Sequence, residues 1–443
     1  MNERELPLSL HQIASCVNGY DPKSLPVAQA QEFIARLVPK VQTIEILALR
    51  SALGRVLARD IVSRIDVPAH DNSAMDGYAL RGSDLETDAD TVLTVTGSAF
   101  AGQAGQPDLA TASPGECVRI MTGAVMPAGL DTVVPQEFAT VDGDRVSIPA
   151  GIVRTGDNRR LKGEDLAQGD AALVAGRVLR PADLGLLASL GQAEVPVLRR
   201  LRVAFFSTGD ELRSIGEDLP AGCVYDSNRY TLWGMLARLS VEIIDLGVVK
   251  DDPAALEATF RAAARDADAV ITSGGVSVGE ADHTKLVMAK LGDVLFWRIA
   301  MRPGRPMAIG RIRTDAGAAA DNAGHSAILF GLPGNPVAVM VTFYALVRDA
   351  LLAMSGATAQ PMPMLRAASV LPMRKKPGRT EYQRGIVTRA PDGAGWQVRI
   401  TGAQGSGILR SMSEANGLVV LHHAQGDVAA GEWVDVLPFD GLA

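Results

Sequence analysis

Three turns along this chain combine residue types that do chemistry together. They are Ser207-Thr208-Gly209-Asp210-Glu211-Leu212, Thr272-Ser273-Gly274-Gly275-Val276-Ser277-Val278-Gly279-Glu280-Ala281-Asp282, and Gly331-Leu332-Pro333-Gly334-Asn335-Pro336. Glycine lets backbone N–H groups approach an anion closely, and a helix beginning straight after such a turn adds its positive end. One Gly-Gly turn is more often structural than functional. Three at successive strand ends point to a phosphate cradle. Its candidate lining is Thr208, Gly209, Asp210, Ser273, Gly274, Gly275, Ser277, Gly279, Pro333, Gly334, Asn335 and Pro336.

Glu211, Asp251 and Asp282 each fall just after a strand. Carboxylates repel a phosphate unless a cation lies between. A hard divalent cation, Mg²⁺, resolves the conflict by bridging both kinds of oxygen. The plainer reading makes such acids helix caps, and it suits Asp252, which precedes Pro253 at a first helical position. For the other three the metal role is the reading taken.

A basic cluster lies in Phe296-Trp297-Arg298-Ile299-Ala300-Met301-Arg302-Pro303-Gly304-Arg305-Pro306. If this is one strand, Arg298 and Arg302 share a face, and the Pro-Gly turn swings Arg305 nearby. Guanidinium forks suit phosphate or another tetrahedral oxyanion. An exposed basic face on an edge strand is the bland alternative. The six histidines show no metal spacing, no Ser sits in a nucleophile elbow, and Cys223 has no activating base beside it in sequence. Arg374-Lys375-Lys376 reads as a solvated turn.

The elements that must position these groups alternate. Arg202 to Phe206, Val241 to Val249 and Ala269 to Thr272 read as strands, and helices follow from Asn228 and from Pro253. That is the rhythm of an open, mostly parallel sheet, whose ligands sit beyond the carboxyl ends of the strands. Upstream, Pro26 to Leu37 and Ile44 to Val56 carry apolar residues at helical spacing; the first reads as a helix, the second as a helix or a strand. Between about 66 and 169 the texture is mostly β, with a hairpin at Asp142-Gly143. From about 359 short strands and turns return, read as a small β-barrel or sandwich.

The chain has 443 residues, so it holds more than one domain. Its net charge of −7 argues against general nucleic-acid binding. The three cysteines form no framework and suit a reducing compartment. The N-terminus carries acids where a signal peptide would be basic, and Pro336 to Val347 is short of the ~20 apolar residues of a span. A soluble cytoplasmic protein with neither nucleic acid nor membrane as partner is expected.

At these residues the chain strongly resembles the molybdopterin molybdenumtransferase family, the MoeA type, related to the E domain of gephyrin. The likeness also covers Asp71-Asn72-Ser73-Ala74-Met75-Asp76-Gly77-Tyr78-Ala79, Arg119-Ile120-Met121-Thr122-Gly123-Ala124, Gly163-Glu164-Asp165, Pro377-Gly378-Arg379-Thr380-Glu381 and Gln404-Gly405-Ser406-Gly407. It implies a multi-domain α/β plus β protein: an elongated linker domain (1–65 with 170–200), an inserted mostly-β domain (66–169), an α/β molybdopterin-binding domain (201–358) and a C-terminal β domain (359–443). It implies adenylylated molybdopterin and molybdate as substrates, Mg²⁺-assisted release of AMP, and molybdenum cofactor as product. It implies a homodimer whose active site is shared, and transient contacts with the pathway's adenylyltransferase and with molybdoenzyme chaperones. By motif it assigns active-site positions to Asp71, Thr122 and Asp165, to Glu211, Asp251, Asp282, Pro333 and Pro336, and to Arg384 and Ser406. The family pattern usually has lysines where this chain has Arg298, Arg302 and Arg305, which bears on the choice between molybdate and tungstate.

Two other readings compete. A molybdopterin adenylyltransferase is typically one α/β domain alone, and the extra β units here speak against it. A non-catalytic pterin-binding scaffold would have a long linker-rich interaction region and lose the acids, and this chain keeps Glu211, Asp251 and Asp282.

Overall fold

The computed structural model describes residues 9–103, 112–276, 283–313, 326–360 and 362–439. From Arg202 onwards the chain builds a six-stranded sheet in the order Glu242–Val249, Arg202–Thr208, Ala269–Ser273, Ser326–Leu332, Pro306–Arg313, Gly292–Arg298. The first four strands run parallel, the fifth runs against them, and the sixth pairs antiparallel with the fifth. The central strands are almost wholly buried, as runs of apolar residues covered on both faces must be. Helix Pro253–Asp266 covers one face, with Phe206 edge-on to Phe260 at 5.0 Å. Because the four strands are parallel, the loops after Thr208, Val249, Ser273 and Leu332 emerge at one edge.

The other face is covered partly by the N-terminus. Helices Leu10–Cys16 and Val27–Leu37 put Ile13, Phe33 and Ile34 into the same core as Phe205 and Phe330. Trp297 meets Phe33 edge-on at 5.0 Å and its indole N–H donates to the Tyr20 hydroxyl at 2.8 Å. So residues 10–41 side with the α/β sheet rather than with residues 170–200, unlike the expected grouping. The apolar stripe of Val27–Leu37 finds its partner on the sheet.

Of the two readings of Ile44 to Val56, the strand holds for its first part. Ile44–Ala48 is a strand paired antiparallel with Glu194–Leu198, and a 3₁₀ turn, Leu49–Ala52, follows. The β-branched alternation Ile44-Glu45-Ile46 and the partner strand outweigh the helical spacing. This ribbon packs over Leu57, Leu179 and Leu187. The mostly-β unit is a six-stranded sheet in the order Thr132–Pro135, Gly77–Leu80, Glu116–Ile120, Thr91–Ala99, Arg145–Ile148, Thr140–Asp142. The expected hairpin turns at Gly143, φ +62.

Near the C-terminus, strand Thr380–Arg389 pairs with both Trp396–Ile400 and Gly417–Leu421, and so closes a barrel with Leu365–Ser369 and Trp433–Pro438. The short strand Met301–Arg302 leaves the α/β domain to pair parallel with Thr380-Glu381. That pairing is the seam between the two units. Helix Pro336–Thr342 continues through a π-helical turn, Phe343–Val347, into Arg348–Met354. Its 19 residues are long and apolar enough to cross a membrane, which corrects the shorter stretch read from sequence. Most of it is buried in the core formed with Phe33 and Leu232, the place of a core helix.

Candidate active site at the strand ends

The three expected turns meet. Thr208 closes its strand, and its hydroxyl donates to the carboxylate of Asp251, after the neighbouring strand. The Asp251 N–H donates to Asp210 Oδ1 at 3.3 Å. A Cβ on Gly209 would lie 2.6 Å from the Glu211 carboxylate, so Glu211 folds back over Gly209. Asp210, Glu211 and Asp251 thus line the ends of two adjacent strands. Their oxygens suit a hard cation in kind. Among the described residues no three acidic, His or Cys side chains converge as a metal-holding group. Asp282, Ser277 and Gly279 lie outside the described residues.

Glycine is required at the next turn. Gly274 has φ +95 and Gly275 φ +66. A Cβ on Gly274 would stand 2.5 Å from the Thr208 carbonyl oxygen, and one on Gly275 2.4 Å from Thr284 Oγ1. The Gly274 N–H donates to the Leu332 carbonyl at 3.1 Å, joining this turn to Pro333-Gly334-Asn335-Pro336. The Asn228 amide group donates to both Ser273 Oγ and the Gly334 carbonyl, each at 2.7 Å. Asn335 is the N-cap residue before Pro336 without a side-chain cap bond. The Val337 N–H at that helix start donates to the Ser406 carbonyl at 3.1 Å, which sets the C-terminal barrel's glycine loop beside the cradle.

The basic cluster is arranged differently from expectation. Arg298 and Arg302 do not share one strand face, because one strand ends at Arg298 and a separate short strand begins at Met301. There the Arg298 N–H donates to the Pro22 carbonyl and the Arg298 carbonyl accepts from Leu25. Arg302 alone of the three lines a cavity of about 210 Å³ at the seam, with Arg374, Arg384, Glu381, Gln383 and Gln404. Arg384 is 1% exposed. Its Nε donates to Ser411 Oγ at 2.9 Å, and its terminal nitrogens to the carbonyls of Ala403, Gln404 and Gly405 at 2.9 to 3.4 Å. Burial above all, and then Arg302, push its pKa down to about 10. Glu381 is held by Arg379 at 2.7 Å, so the cavity is left with a cationic excess.

Arg374, Gln383 and Gln404 were missed as cavity residues. The run Arg374-Lys375-Lys376 is not a solvated turn throughout. Lys375 is buried, and its ammonium donates to the Gln425 carbonyl at 2.6 Å. Burial pushes its pKa down. The bridge between Met373 and Val428, and the Lys375 N–H to Asp427 at 2.6 Å, pin the backbone on both sides of Arg374. Alternation then turns Arg374 away from Lys375. The local sequence offers no sign of this, because the partners lie 50 residues on.

In the inserted β unit, Thr122 donates from its N–H and its hydroxyl to Asp76 Oδ1, both at 2.7 Å. Those bonds hold Asp76 below the ordinary carboxylate range. Asp71 accepts from the Lys162 N–H at 2.8 Å and faces Arg159 at 3.7 Å. Asp165 is exposed, with its N–H on the Val67 carbonyl. These bonds all stay within residues 66–169 and do not join Asp71, Thr122 or Asp165 to the strand-end acids.

Three family models match the chain in order. "MoeA N-terminal region (domain I and II)" covers residues 25–191, "Probable molybdopterin binding domain" 204–353, and "MoeA C-terminal region (domain IV)" 366–439. A molybdopterin molybdenumtransferase of Haemophilus influenzae is 42% identical over 94% of this chain and 99% of its own length. One from a Nostoc species is 36% identical over 95% of this chain and 97% of its own. A solved molybdopterin biosynthesis moeA protein of Pyrococcus horikoshii OT3 superposes with a TM-score of 0.78 at 27% identity, covering 94% of this chain and all of that one.

Proposed function

The chain belongs to the molybdopterin molybdenumtransferase family, transferases of molybdenum cofactor biosynthesis, and from that premise we propose that it inserts molybdate into adenylylated molybdopterin and releases AMP. One observation supports the reading: the loop Gln404-Gly405-Ser406 links the two places, Gln404 lining the cationic cavity and the Ser406 carbonyl accepting from the Val337 N–H at the helix that follows the glycine cradle. The cradle suits a phosphate linkage. The cavity of Arg302, Arg374 and Arg384 suits a tetrahedral dianion. The reaction needs both held side by side.

In this reading the backbone around Gly274, Gly275 and Gly334 holds the pyrophosphate of the substrate. Thr208 keeps the Asp251 carboxylate turned toward the strand ends. Since no three of the described acids converge, Asp210, Glu211 and Asp251 would need Asp282, which the resemblance assigns, to complete a Mg²⁺ site, and the ion would supply charge neutralisation at the phosphates. Arg302 and Arg374 would orient molybdate so that the two dithiolene thiols form Mo–S bonds while one oxo ligand leaves as water with their two protons. A second water cleaves the pyrophosphate to free AMP, and Arg384 fixes the loop 403–405 beside the anion. Arg298 and Arg305 act at most through the long-range field, since neither lines the cavity. Positioning and charge stabilisation carry such a transfer. Asp71, Thr122 and Asp165 complete the site from a second copy of the chain in a homodimer, acting in the cytoplasm.

The test is an AMP-release assay with purified protein, adenylylated molybdopterin, Mg²⁺ and either molybdate or tungstate. AMP release that depends on the oxyanion, with active cofactor as product, is expected. Release that is indifferent to molybdate sinks the insertion reading.

A further inference from the structure

Asn228 looks at first like the opening residue of a helix. It stands second in Ser227–Ala237, whose cap is Asp226, accepting from the Arg229 N–H at 3.1 Å. Leu232 and Leu236 anchor that helix in the core, so the side chain leaves from a rigid base. Its amide nitrogen has two protons and uses both, one on Ser273 Oγ and one on the Gly334 carbonyl. The carbonyl can only accept, so the amide orientation is settled by chemistry. Its two partners stand 45 and 106 residues away in sequence, at the ends of adjacent parallel strands.

Among the described residues the buried amide oxygen of Asn228 has no partner. Nor has the buried hydroxyl of Ser207, the register partner of Ser273. A layer built only for packing would replace these groups by apolar ones, because unpaired buried polar atoms are destabilising. The two loops joined by Asn228 have little stiffness of their own. Gly274 and Gly275 both adopt positive φ, and Gly334 has open space around it apart from Gly274.

We propose that Asn228 is a positioning residue: its one amide group clamps the Ser273 and Gly334 loops at a fixed separation and so sets the affinity for the phosphate-bearing half of the substrate. This rests on the cradle being the site of adenylylated molybdopterin. Asn228 does not touch the oxyanion cavity, so it leaves the molybdate requirement alone.

The experiment measures binding of adenylylated molybdopterin by calorimetry, and half-saturating molybdate in turnover, for full-length wild type, Asn228→Ala, Asn228→Asp and Ser273→Ala. Loss of two buried hydrogen bonds is expected to weaken pterin nucleotide binding about 10-fold in Asn228→Ala. Asn228→Asp keeps the shape and is expected to bind more weakly still, because a carboxylate cannot donate to Gly334 and repels phosphate. Half-saturating molybdate should stay within about twofold in both, a split that a general loss of structure would not produce. Ser273→Ala should weaken binding about threefold, and adding it to Asn228→Ala should cost less than the sum of the two singles. If the Asn228 variants fail to fold, Ser273→Ala decides alone, and unchanged binding overturns the proposal. Asn228→Asp binding like wild type overturns it too, as does an equal loss toward molybdate. A wild type that binds no adenylylated molybdopterin overturns the reading of the cradle and the proposal with it.

Discussion

Arg384 and Arg302 line one cavity, and Arg384, buried and beside a second guanidinium, has its pKa pushed down to about 10. At pH 7 to 9 it still carries its charge. Half-saturating molybdate is therefore expected to stay flat from pH 7 to 9 and to rise as pH passes about 10. Between about 10 and the ordinary arginine value the unfolded chain holds more of this proton than the folded one, so stability rises with pH there. A base with a lowered folded pKa disfavours the folded state below that pKa, and the penalty lifts only as pH rises above about 10. A rise in half-saturating molybdate between pH 7 and 9 would show that another group controls the anion.

Arg384 also fixes the loop Ala403–Gly405 through three carbonyls. Arg384→Lys keeps a charge and loses the fork. It is expected to lower stability by about 2 kcal/mol in denaturant unfolding and to raise half-saturating molybdate at least about 10-fold. Arg374→Gln, on an exposed side chain of the same cavity, should raise half-saturating molybdate about fivefold and change stability by less than about 0.5 kcal/mol. Equal affinity in both variants would remove the cavity from the reaction.

Asp251 is exposed at the strand ends and receives the Thr208 hydroxyl. Asp251→Asn is expected to cut turnover by about 100-fold or more with the unfolding midpoint kept, and to raise the Mg²⁺ needed for half-maximal rate. Thr208→Val should cut turnover about 10-fold by releasing that carboxylate. Mg²⁺ dependence identical to wild type in Asp251→Asn would leave Asp251 with no metal role.

If the site is shared between subunits, two dead variants should complement each other. Thr122→Ala and Asp251→Asn, unfolded and refolded together in equal amounts, should recover about a quarter of wild-type AMP release, because half the dimers are mixed and each holds one intact site. No recovery from a mixture shown to contain mixed dimers would confine the site to one chain.

Much of this was legible in the sequence. The strand–helix alternation after Leu201 set the parallel sheet, and parallel strands bring their following loops to one edge, so it was legible that the turns at Thr208, Ser273 and Leu332 would meet. The hairpin at Asp142-Gly143 and the cap at Asp252 were legible because they depend on a few neighbouring residues. Ile44 to Val56 reads from sequence as helix or strand, because the partner that decides it, Glu194–Leu198, lies about 150 residues away.

The arginines mark the boundary most clearly. Their charge and their affinity for oxyanions belong to the sequence. Which of them meet was decided by tertiary structure: Pro22 and Leu25 hold the Arg298 backbone, Met301–Arg302 joins the barrel, and Arg374 turns outward because Lys375 turns in. Sequence by itself determined the chemistry each residue carries and the strands that carry it. The fold alone decided which side chains share a cavity, because packing joins residues by apolar area and hydrogen bonds rather than by their order along the chain.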